Sequence, residues 1–477
     1  MTEFKIQKRY LSRQILKKSS HSSLNVSQLF ILAGTLLLLI SFIALAVQLQ
    51  PYFENVHTKQ MSNIWEKSLI IISTTLLLLK LSFLVYLLVL HLKYRAVSSV
   101  EDEELPSCTV IVPAYNEGEL VYKTLQSLIN SDYPKDKLQI LTIDDGSQDD
   151  TWQWMLKAKQ EFGERISIFQ QPENKGKRHA LYRGFQIGRG EIFITVDSDS
   201  VVKSDTLRNM VSPFVKNDKC GAVAGNVRVL NSKNAIIPKM LNVSFAFSFE
   251  FVRSAQSTAG TVMCTPGALA AYRKDVVMNC LPQWIAQKFM GQTSDIGEDR
   301  AMTNMILKQG FQVVFQKNAV VYTNTPENFK GLSKMYIRWG RSNVREDIMM
   351  SKFAFGNFRE GEKTSSRIFL LNQWMTTILS FPMLAVMFYI IASYPLLFLC
   401  SAMTGIFLFS SMSAFFYAKR RKVIDAIWAY SYGVFYTFCL FWITPYAIAT
   451  VGKRGWLTRD LSVEQLKAFS ENRAKAA

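Results

Sequence analysis

Long runs of apolar residues lie toward both ends of the chain and enclose a central region in which apolar and polar positions alternate. A helix needs roughly 20 apolar residues to cross about 30 Å of hydrocarbon. Four runs predict membrane spans, and a fifth fits a span, an interfacial helix or a broken hairpin: 29–47, 68–92, 368–391, 394–417 and, as the fifth, 424–450. The first two predict a transmembrane hairpin within 29–95, around a short external loop at 50–67.

The central region from 106 to 330 has the pattern of an α/β domain, because short apolar runs alternate with amphipathic ones. Buried strands are predicted at 108–113, 138–143 and 193–196, and a helix at 119–130. Such alternation predicts a mostly parallel sheet, and ligands bind such sheets at the carboxyl ends of the strands. We therefore look for chemistry directly after these strands.

The remaining segments are polar or amphipathic. Residues 1–28 form a basic leader, 331–362 an interface helix region, 368–450 the C-terminal membrane and interfacial helices, and 451–477 a cytoplasmic tail. Residues 235–258 mix aromatic and polar positions at helical spacing, which fits an amphipathic interfacial helix or a packed core helix equally. The leader lacks a small-residue cleavage site, so we expect the first span to be retained.

The formal net charge of +18 is concentrated beside the predicted spans. Lys17 and Lys18 precede the first span, Lys93 follows the second, and the tetrapeptide 419–422 is entirely basic. This is the positive-inside pattern, and it predicts a multi-pass protein of the plasma (inner) membrane with a cytoplasmic catalytic domain. We therefore expect a lipid bilayer and no nucleic acid as partner. Six cysteines without metal-ligand spacing fit a reducing compartment.

One charged residue lies inside the second predicted span. Lys80 is near its middle, where a charge costs roughly 2.5–3.5 kcal/mol on insertion scales. It can face a polar pore or a partner in the helix bundle, or it can snorkel between helices. The sequence favours neither alternative.

Polar side chains that suit a nucleotide follow the first two strands. Tyr115 and Glu117 come where the first strand turns out at a proline, and Asp144 and Asp145 follow the second strand. Carboxylates at this edge can reach a base or a ribose. An Asp-Gly-Ser sequence is also an ordinary turn, so the order and spacing of both pairs carry the prediction.

A second acidic motif is predicted to serve a metal and a diphosphate. Asp197 and Asp199 follow the third strand at positions i and i+2. Mg²⁺ or Mn²⁺ takes one or two carboxylates together with phosphate oxygens, so we predict such a cofactor here. Lys177 and Arg178 precede a predicted helix, where a basic pair suits phosphate; a basic surface turn explains them nearly as well.

The segment with the most specific chemistry runs from 297 to 346. Asp299 is the predicted general base, and Glu298 beside it can orient the loop. Forty residues later, Arg338 can neutralise a departing diphosphate and Trp339 can stack on a sugar. Acidic residues are also common in a first helical turn, and Arg and Trp are common at membrane interfaces.

The residues from about 113 to 459 resemble the processive family 2 glycosyltransferases, most closely the hyaluronan synthases and the nodulation chitin-oligosaccharide synthases. The resemblance rests on these segments, which stand here in the same order: Asp144-Asp-Gly-Ser147, Gly176-Lys-Arg178, Asp197-Ser-Asp199, Gly225-Asn-Val-Arg-Val-Leu-Asn231, Ala255-Gln-Ser257, Cys264, Gly297-Glu-Asp-Arg300 and Trp339-Gly-Arg-Ser342.

The resemblance implies an α/β, GT-A-like (Rossmann-like) cytoplasmic glycosyltransferase domain inserted between transmembrane helices, with amphipathic interface helices. It implies UDP-sugar donors, a divalent metal and a growing polysaccharide acceptor exported through the membrane helices. It implies acceptor contacts from Cys264, Trp339, Arg341 and Ser342. Three further residues resemble a gating loop that closes over the nucleotide: Trp456, Thr458 and Arg459.

The sequence departs from the family pattern at four places. Met335 stands where the family has a glutamine, 265–268 is Thr-Pro-Gly-Ala where Ser-Gly-Pro is usual, and the acidic motif is Gly-Glu-Asp where hyaluronan synthases have Gly-Asp-Asp. Leu457 replaces the gating glycine. These differences concern the identity of the sugar more than the reaction.

The sequence thus predicts a processive, inverting β-glycosyltransferase that polymerises UDP-sugars. Hyaluronan synthesis from UDP-N-acetylglucosamine and UDP-glucuronate is the first expectation, and a chitin-like, poly-N-acetylglucosamine or other capsular polymer is the alternative. A non-processive transferase that charges a lipid-phosphate carrier is a rival. A membrane receptor or transporter with an inactive transferase-like domain is another. The sequence indicates no oligomeric state.

Overall fold

The computed structural model describes residues 26–421 and 423–453. Its helices are α1 Val26–Gln48, α2 Gln50–Ser62, α3 Ile64–Lys93, α4 Glu119–Ile129, α5 Thr151–Phe162, α6 Lys177–Ile187, α7 Thr206–Lys216, α8 Ile236–Phe245, α9 Arg253–Thr258, α10 Lys274–Ile285, α11 Glu298–Lys308, α12 Phe329–Ala354, α13 Thr364–Ile378, α14 Ser380–Ser393, α15 Pro395–Ala418, α16 Trp428–Cys439 and α17 Ile443–Ala449. Shorter helical pieces are the 3₁₀ turns Lys135–Lys137, Gly163–Arg165 and Val423–Ile427 and the π-helical segment Ala246–Val252.

The strands are β1 Cys108–Ala114, β2 Leu138–Asp144, β3 Ile166–Gln170, β4 Ile192–Val196, β5 Ser200–Val202, β6 Cys220–Val229, β7 Leu269–Arg273, β8 Lys288–Phe289, β9 Gln292–Thr293 and β10 Gln312–Thr323. Eight of them form one sheet in the order β3-β2-β1-β4-β7-β6-β10-β5, and β8 pairs with β9 in a separate hairpin. The strands predicted at 108–113, 138–143 and 193–196 and the helix predicted at 119–130 are present within a residue or two of their expected ends.

The main sheet is mostly parallel, as predicted, but it is mixed, because two of its eight strands run against the other six. Strands β3, β2, β1 and β4 run parallel, as do β6 and β10. Strand β7 runs antiparallel to both of its neighbours, and β5 runs antiparallel to β10. The sequence did not reveal the reversed direction of β7 and β5, because a short buried strand has the same hydrophobic pattern in either direction.

The sheet is covered on both faces. One core cluster joins α4, α5 and α7 to the sheet, and the other joins α6, α10, α11 and the C-terminal end of α3 to its opposite face. Strands β1 and β4 are therefore buried along their whole length. The carboxyl ends of β1, β2 and β4 open on the same edge, and the acidic motifs begin there.

Within the part of the chain that the structure describes, two helices are long and apolar enough to cross a membrane, α3 and α15, and three bent helix pairs bring the number to five if each pair is one span. The segment 50–67 is predicted to be a loop, but most of it is helical, so this prediction is wrong. Helix α2 occupies most of it, bent by 67° from the end of α1, and Pro51 lies in its first turn, where the missing N–H of proline costs no hydrogen bond.

The C-terminal apolar segments are broken at two places. The span predicted at 368–391 is α13 and α14, bent by 46°, and the region 424–450 is a helical pair bent by 49°. Of the alternatives for 424–450, the broken one matches this bend. Lys80 points to α13, where its Nζ lies 3.0 Å from both Asn372 Oδ1 and Thr376 Oγ1, so it has partners in the bundle.

The segment 235–258 is one continuous helical path through α8, the π-helical segment and α9. Leu241, Phe245 and Phe249 pack into the core of the sheet domain. Met240 and Val243 pack against the C-terminal helices instead. Because apolar residues on more than one face are buried, the packed core helix is the alternative that the structure supports.

Candidate active site

The two aspartates after β2 are buried and satisfied by their own loop. Asp144 accepts hydrogen bonds from the backbone N–H of Ser147 at 3.0 Å and from Gln170 Nε2 at 2.9 Å. Asp145 accepts from the backbone N–H of Gly176 at 2.8 Å. Burial raises the pKa of Asp145 to about 6, although the two N–H donors of 175 and 176 oppose this shift. Both carboxylates hold the loops at this edge of the sheet, and neither is exposed to an open cleft.

The residues after β1 lie next to the second acidic motif. Tyr115 is half-buried at the sheet edge. Glu117 Oε1 accepts a hydrogen bond at 3.1 Å from Ser198 Oγ, the serine between Asp197 and Asp199. The first and third strand ends, predicted separately from sequence, are therefore in contact.

Lys177 joins the two acidic motifs of the site. Its Nζ lies 2.5 Å from Asp197 Oδ1 and 3.2 Å from Glu298 Oε1, although about a hundred residues separate these carboxylates in sequence. Burial alone lowers the pKa of this lysine, but Asp197 and Glu298 outweigh burial and the net shift is upward. A permanently charged ammonium group thus stands between the two motifs.

Arg178 does not share this position, so its predicted phosphate role is not supported by the structure. Its side chain is buried beneath the site, where Nη1 donates to the carbonyl of Trp284 at 2.8 Å and to Gln287 Oε1 at 2.9 Å. Consecutive helical residues point about 100° apart, so only one of the pair can face the cleft, and it is Lys177.

Asp199 lies on the far side of the same loop. Its Oδ1 accepts hydrogen bonds from Ser200 Oγ and Thr323 Oγ1, both at 3.3 Å. Among residues 26–421 and 423–453, no group of three or more His, Cys, Asp or Glu side chains is arranged to hold a metal ion. Two carboxylates at i and i+2 still fit Mg²⁺ or Mn²⁺, because these ions take their remaining ligands from water and substrate phosphate.

Asp299 is half-buried in the first turn of α11. Its Oδ1 accepts from the backbone N–H of Arg300 at 2.7 Å, and its Oδ2 accepts from the backbone N–H of Gly267 at 3.2 Å. Gly267 also lies against Lys177 and Asp197, so the base and the metal motif border one small space. Burial, followed by the charge of Glu298, raises the pKa of Asp299 to about 6, while Lys177 and Arg338 oppose the shift.

Cys264 borders the same carboxylate, with its Sγ 3.8 Å from Asp299 Oδ2. Burial raises the pKa of this thiol to about 12, so it is neutral at physiological pH. Arg253, which the sequence analysis missed, donates from Nε to the carbonyl of Cys264 at 3.3 Å and stacks 3.7 Å above the ring centroid of Phe249. A cation within an otherwise aromatic helical segment was the signal that could have revealed it.

The Arg-Trp pair lies on α12 near Asp299. Arg338 is close enough that its charge lowers the pKa of that carboxyl. The ring of Trp339 is 37% exposed and is flanked by Phe245 at 6.1 Å and Tyr336 at 5.7 Å. An exposed ring edged by two aromatic rings is a surface on which a sugar can stack.

Two residues that are predicted to contact the acceptor instead contact other segments of the protein. Arg341 is buried and donates from Nε to Thr450 Oγ1 at 3.1 Å. Ser342 is buried against Gly297, the residue that precedes α11 and has a φ of +78°. A Cβ at Gly297 would overlap the Ser342 hydroxyl, so the two residues are in close contact. Both side chains therefore position neighbouring elements. Trp456, Thr458 and Arg459 lie outside the described residues.

The chain is similar in sequence to known glycosyltransferases. The sequence profile described as "Glycosyltransferase like family 2" matches residues 106–342. An N-acetylglucosaminyltransferase of Rhizobium meliloti (strain 1021) is 33% identical over 53% of this chain and 59% of that protein. A hyaluronan synthase of Streptococcus pyogenes is 29% identical over 52% of this chain and 59% of that protein. The chain thus matches less than two thirds of the length of these curated relatives.

Among solved structures, a similar one is the mannosyltransferase PcManGT from Pyrobaculum calidifontis in complex with GDP-Man and Mn²⁺. It has a TM-score of 0.51 at 20% sequence identity and covers 76% of this chain and 97% of that chain. At this identity the likeness concerns the fold alone. The described sheet and its flanking helices thus form a GT-A-like glycosyltransferase fold.

Proposed function

We propose that this chain is a membrane-embedded, inverting β-glycosyltransferase that polymerises UDP-sugars, because the profile described as "Glycosyltransferase like family 2" matches residues 106–342. UDP-N-acetylglucosamine is the proposed donor, since one similar protein is named for that sugar and hyaluronan, the product of another, contains it. The product is either hyaluronan, with UDP-glucuronate as second donor, or a chitin-like N-acetylglucosamine polymer. The relatives support both products equally.

One observation carries the proposal: the ammonium group of Lys177 contacts Asp197 and Glu298 at once. A transferase must hold a diphosphate and deprotonate an acceptor hydroxyl within one small space. The contacts of Lys177, together with Gly267 between Asp197 and Asp299, support such a space. No fold-level analogy is needed for this step.

In the proposed reaction, Asp299 removes the proton from the acceptor hydroxyl as the oxygen attacks the anomeric carbon of the donor. The bond from that carbon to the diphosphate breaks in the same displacement, and UDP leaves with the electron pair. Lys177 and Arg338 stabilise the negative charge that develops on the diphosphate. A divalent cation held by Asp197 and Asp199, when bound, supplies further charge neutralisation to the phosphates. Trp339 stacks on the acceptor sugar.

We further propose that the apolar helices anchor the domain in the plasma (inner) membrane with the site on the cytoplasmic side. The two long apolar helices and three bent pairs support several spans. The basic residues beside them support the orientation. The polar contacts of Lys80 with α13 support a bundle that tolerates polar groups within the bilayer, as an export path for a polysaccharide requires.

Purified protein supplied with single and paired UDP-sugars tests the function. UDP release from UDP-N-acetylglucosamine alone, with a product sensitive to chitinase, indicates the homopolymer. Release that needs UDP-glucuronate as well, with a product sensitive to hyaluronidase, indicates hyaluronan. Short products attached to a lipid carrier would favour the non-processive rival, and no UDP release from any donor would contradict the proposal. Boiled protein is the blank.

The acidic side of the pH–rate profile should report Asp299. A base works only when deprotonated, so a pKa of about 6 predicts that turnover rises with pH through that value and levels off above it. Asp145 and Asp347 also have raised pKa values of about 6, so Asp299→Glu is the assignment test. If the pH at which turnover rises shifts with this substitution, the rise reports Asp299. If that pH is unchanged, the assignment is contradicted.

A further inference from the structure

The four residues that follow α17, 450–453, are held by two arginines of α12, and we name this segment the C-terminal strap. Arg341 Nε donates to Thr450 Oγ1 at 3.1 Å. One turn later on the same helix, Arg345 Nε and Nη2 donate to the carbonyl of Val451 at 2.9 and 2.7 Å, and Nη2 donates to the carbonyl of Lys453 at 2.9 Å. Successive strap residues are thus bonded to successive turns of α12.

Arg345 is only 3% exposed, and within the described ranges it forms no salt bridge. Burying a guanidinium group is costly unless hydrogen-bond acceptors compensate for the lost water. All three of its hydrogen bonds go to strap carbonyls. The position of the strap and the burial of Arg345 therefore depend on each other.

The strap also contacts the β8–β9 hairpin. The hairpin turns at Met290 and Gly291, whose φ angles of +50° and +79° fit a two-residue type I′ turn. A Cβ added to Gly452 would lie 3.6 Å from Met290 Sδ. The Arg345 guanidinium lies 5.5 Å from the ring centroid of Phe289, so it contacts the hairpin and the strap together.

This hairpin leads directly to the proposed base. Strand β9 ends at Thr293, and Asp299 follows six residues later. The base of the hairpin is fixed to α12 as well, because Gln287 Nε2 donates to Glu346 Oε1 at 2.8 Å and the backbone N–H of Ser294 donates to the carbonyl of Gln287 at 3.0 Å. The hairpin is therefore joined to the start of α11 by a short stretch of chain and to α12 by the bond of Gln287.

We infer that Arg345 is a positioning residue for the transfer reaction: by holding the strap against the hairpin, it fixes the turn that carries Glu298 and Asp299. The inference rests on the proposed function where it concerns turnover. Its claim about the position of the strap is independent of any activity. Arg345 touches no reacting atom, so its effect should appear in the rate of the chemical step.

Arg345→Gln should lower kcat about tenfold and leave the KM for UDP-N-acetylglucosamine within about twofold, because a base displaced by a fraction of an ångström loses rate without losing donor contacts. The kcat of Arg345→Lys should lie between the kcat of the unsubstituted protein and that of Arg345→Gln, since an ammonium group cannot bond two carbonyls as a guanidinium fork does. Arg367→Gln is the matched control: Arg367 also donates to backbone carbonyls, those of Ala354 and Gly356 at the end of α12, away from the strap.

A crosslink separates positioning from a general loss of stability. Met290→Cys and Gly452→Cys, in a Cys439→Ser background that removes an exposed thiol, should form a disulfide under mild oxidant. The disulfide should form faster with Arg345 than in the Arg345→Gln protein. Once formed in the Arg345→Gln protein, it should restore most of the lost kcat, and reduction should remove that gain.

Three results would overturn the inference. The first is a kcat loss in Arg345→Gln no larger than in Arg367→Gln. The second is a fully crosslinked Arg345→Gln protein that stays slow. The third is a crosslinking rate that does not depend on Arg345, and this measurement needs no turnover. If the unsubstituted protein releases no UDP, the proposed function fails, while the crosslinking rates still decide where the strap lies.

Discussion

Asp299→Asn should lower UDP release by at least about 100-fold, because removing a general base from a proton transfer costs a factor of roughly 10² to 10⁴. The asparagine has nearly the same shape, and its one oxygen can accept from the backbone N–H of either Arg300 or Gly267, which now bond to different carboxylate oxygens. Lys177 retains its contacts with Asp197 and Glu298. The loss should therefore fall on chemistry and leave the site assembled.

The measurement is the initial rate of UDP release at saturating donor, with donor binding followed separately. Binding of UDP to the Asp299→Asn protein should stay close to that of the unsubstituted protein. Asp275→Asn is the control, since Asp275 is an exposed acidic residue in the first turn of α10, as Asp299 is in the first turn of α11. Turnover of Asp299→Asn within threefold of this control would sink the assignment of the base.

Asp199→Asn should have the second large effect, and it should depend on the divalent cation. A metal on the diphosphate supplies several kcal/mol of charge stabilisation, and each 1.4 kcal/mol is a factor of about ten in rate. We therefore expect turnover to fall about 100-fold at low Mn²⁺ and to recover in part as Mn²⁺ is raised. Treating the unsubstituted protein with EDTA should abolish turnover, and adding Mg²⁺ or Mn²⁺ should restore it.

Asp205→Asn is the control for this substitution, because Asp205 is exposed and lies six residues downstream. Asp197→Asn should behave differently from Asp199→Asn, since it also removes the 2.5 Å ion pair with Lys177. Its turnover should not recover fully at any Mn²⁺ concentration. An Asp199→Asn protein with the metal response of the unsubstituted protein would show that this carboxylate holds no metal.

The order of strands and motifs could be derived from sequence because both depend on local pattern. A buried strand such as β4 has five consecutive apolar or small residues, and Asp197 follows it at once. The carboxyl ends of neighbouring parallel strands meet at one edge. The proximity of Glu117 to Ser198, between strands eighty residues apart, follows from this rule.

The interior orientation of charged residues could not be derived in this way. Arg178 and Arg341 are predicted from the sequence to contact ligands, yet both are buried, as is Arg345. The acceptors of Arg178 and Arg341 are Trp284 and Thr450, which lie 106 and 109 residues away in sequence, beyond the reach of any local pattern. A buried charge is tolerated only where distant acceptors meet it, and no window of sequence contains both.

The sequence by itself determined the apolar spans, the α/β alternation and the placement of the acidic motifs at strand ends, since each depends on the spacing of residues that are close together in the chain. Tertiary structure alone decided that Lys177 rather than Arg178 stands between the motifs, that β7 runs against its neighbours, and that Arg345 holds the strap. These outcomes depend on contacts between segments far apart in the chain. Such contacts form only when the sheet brings the segments together.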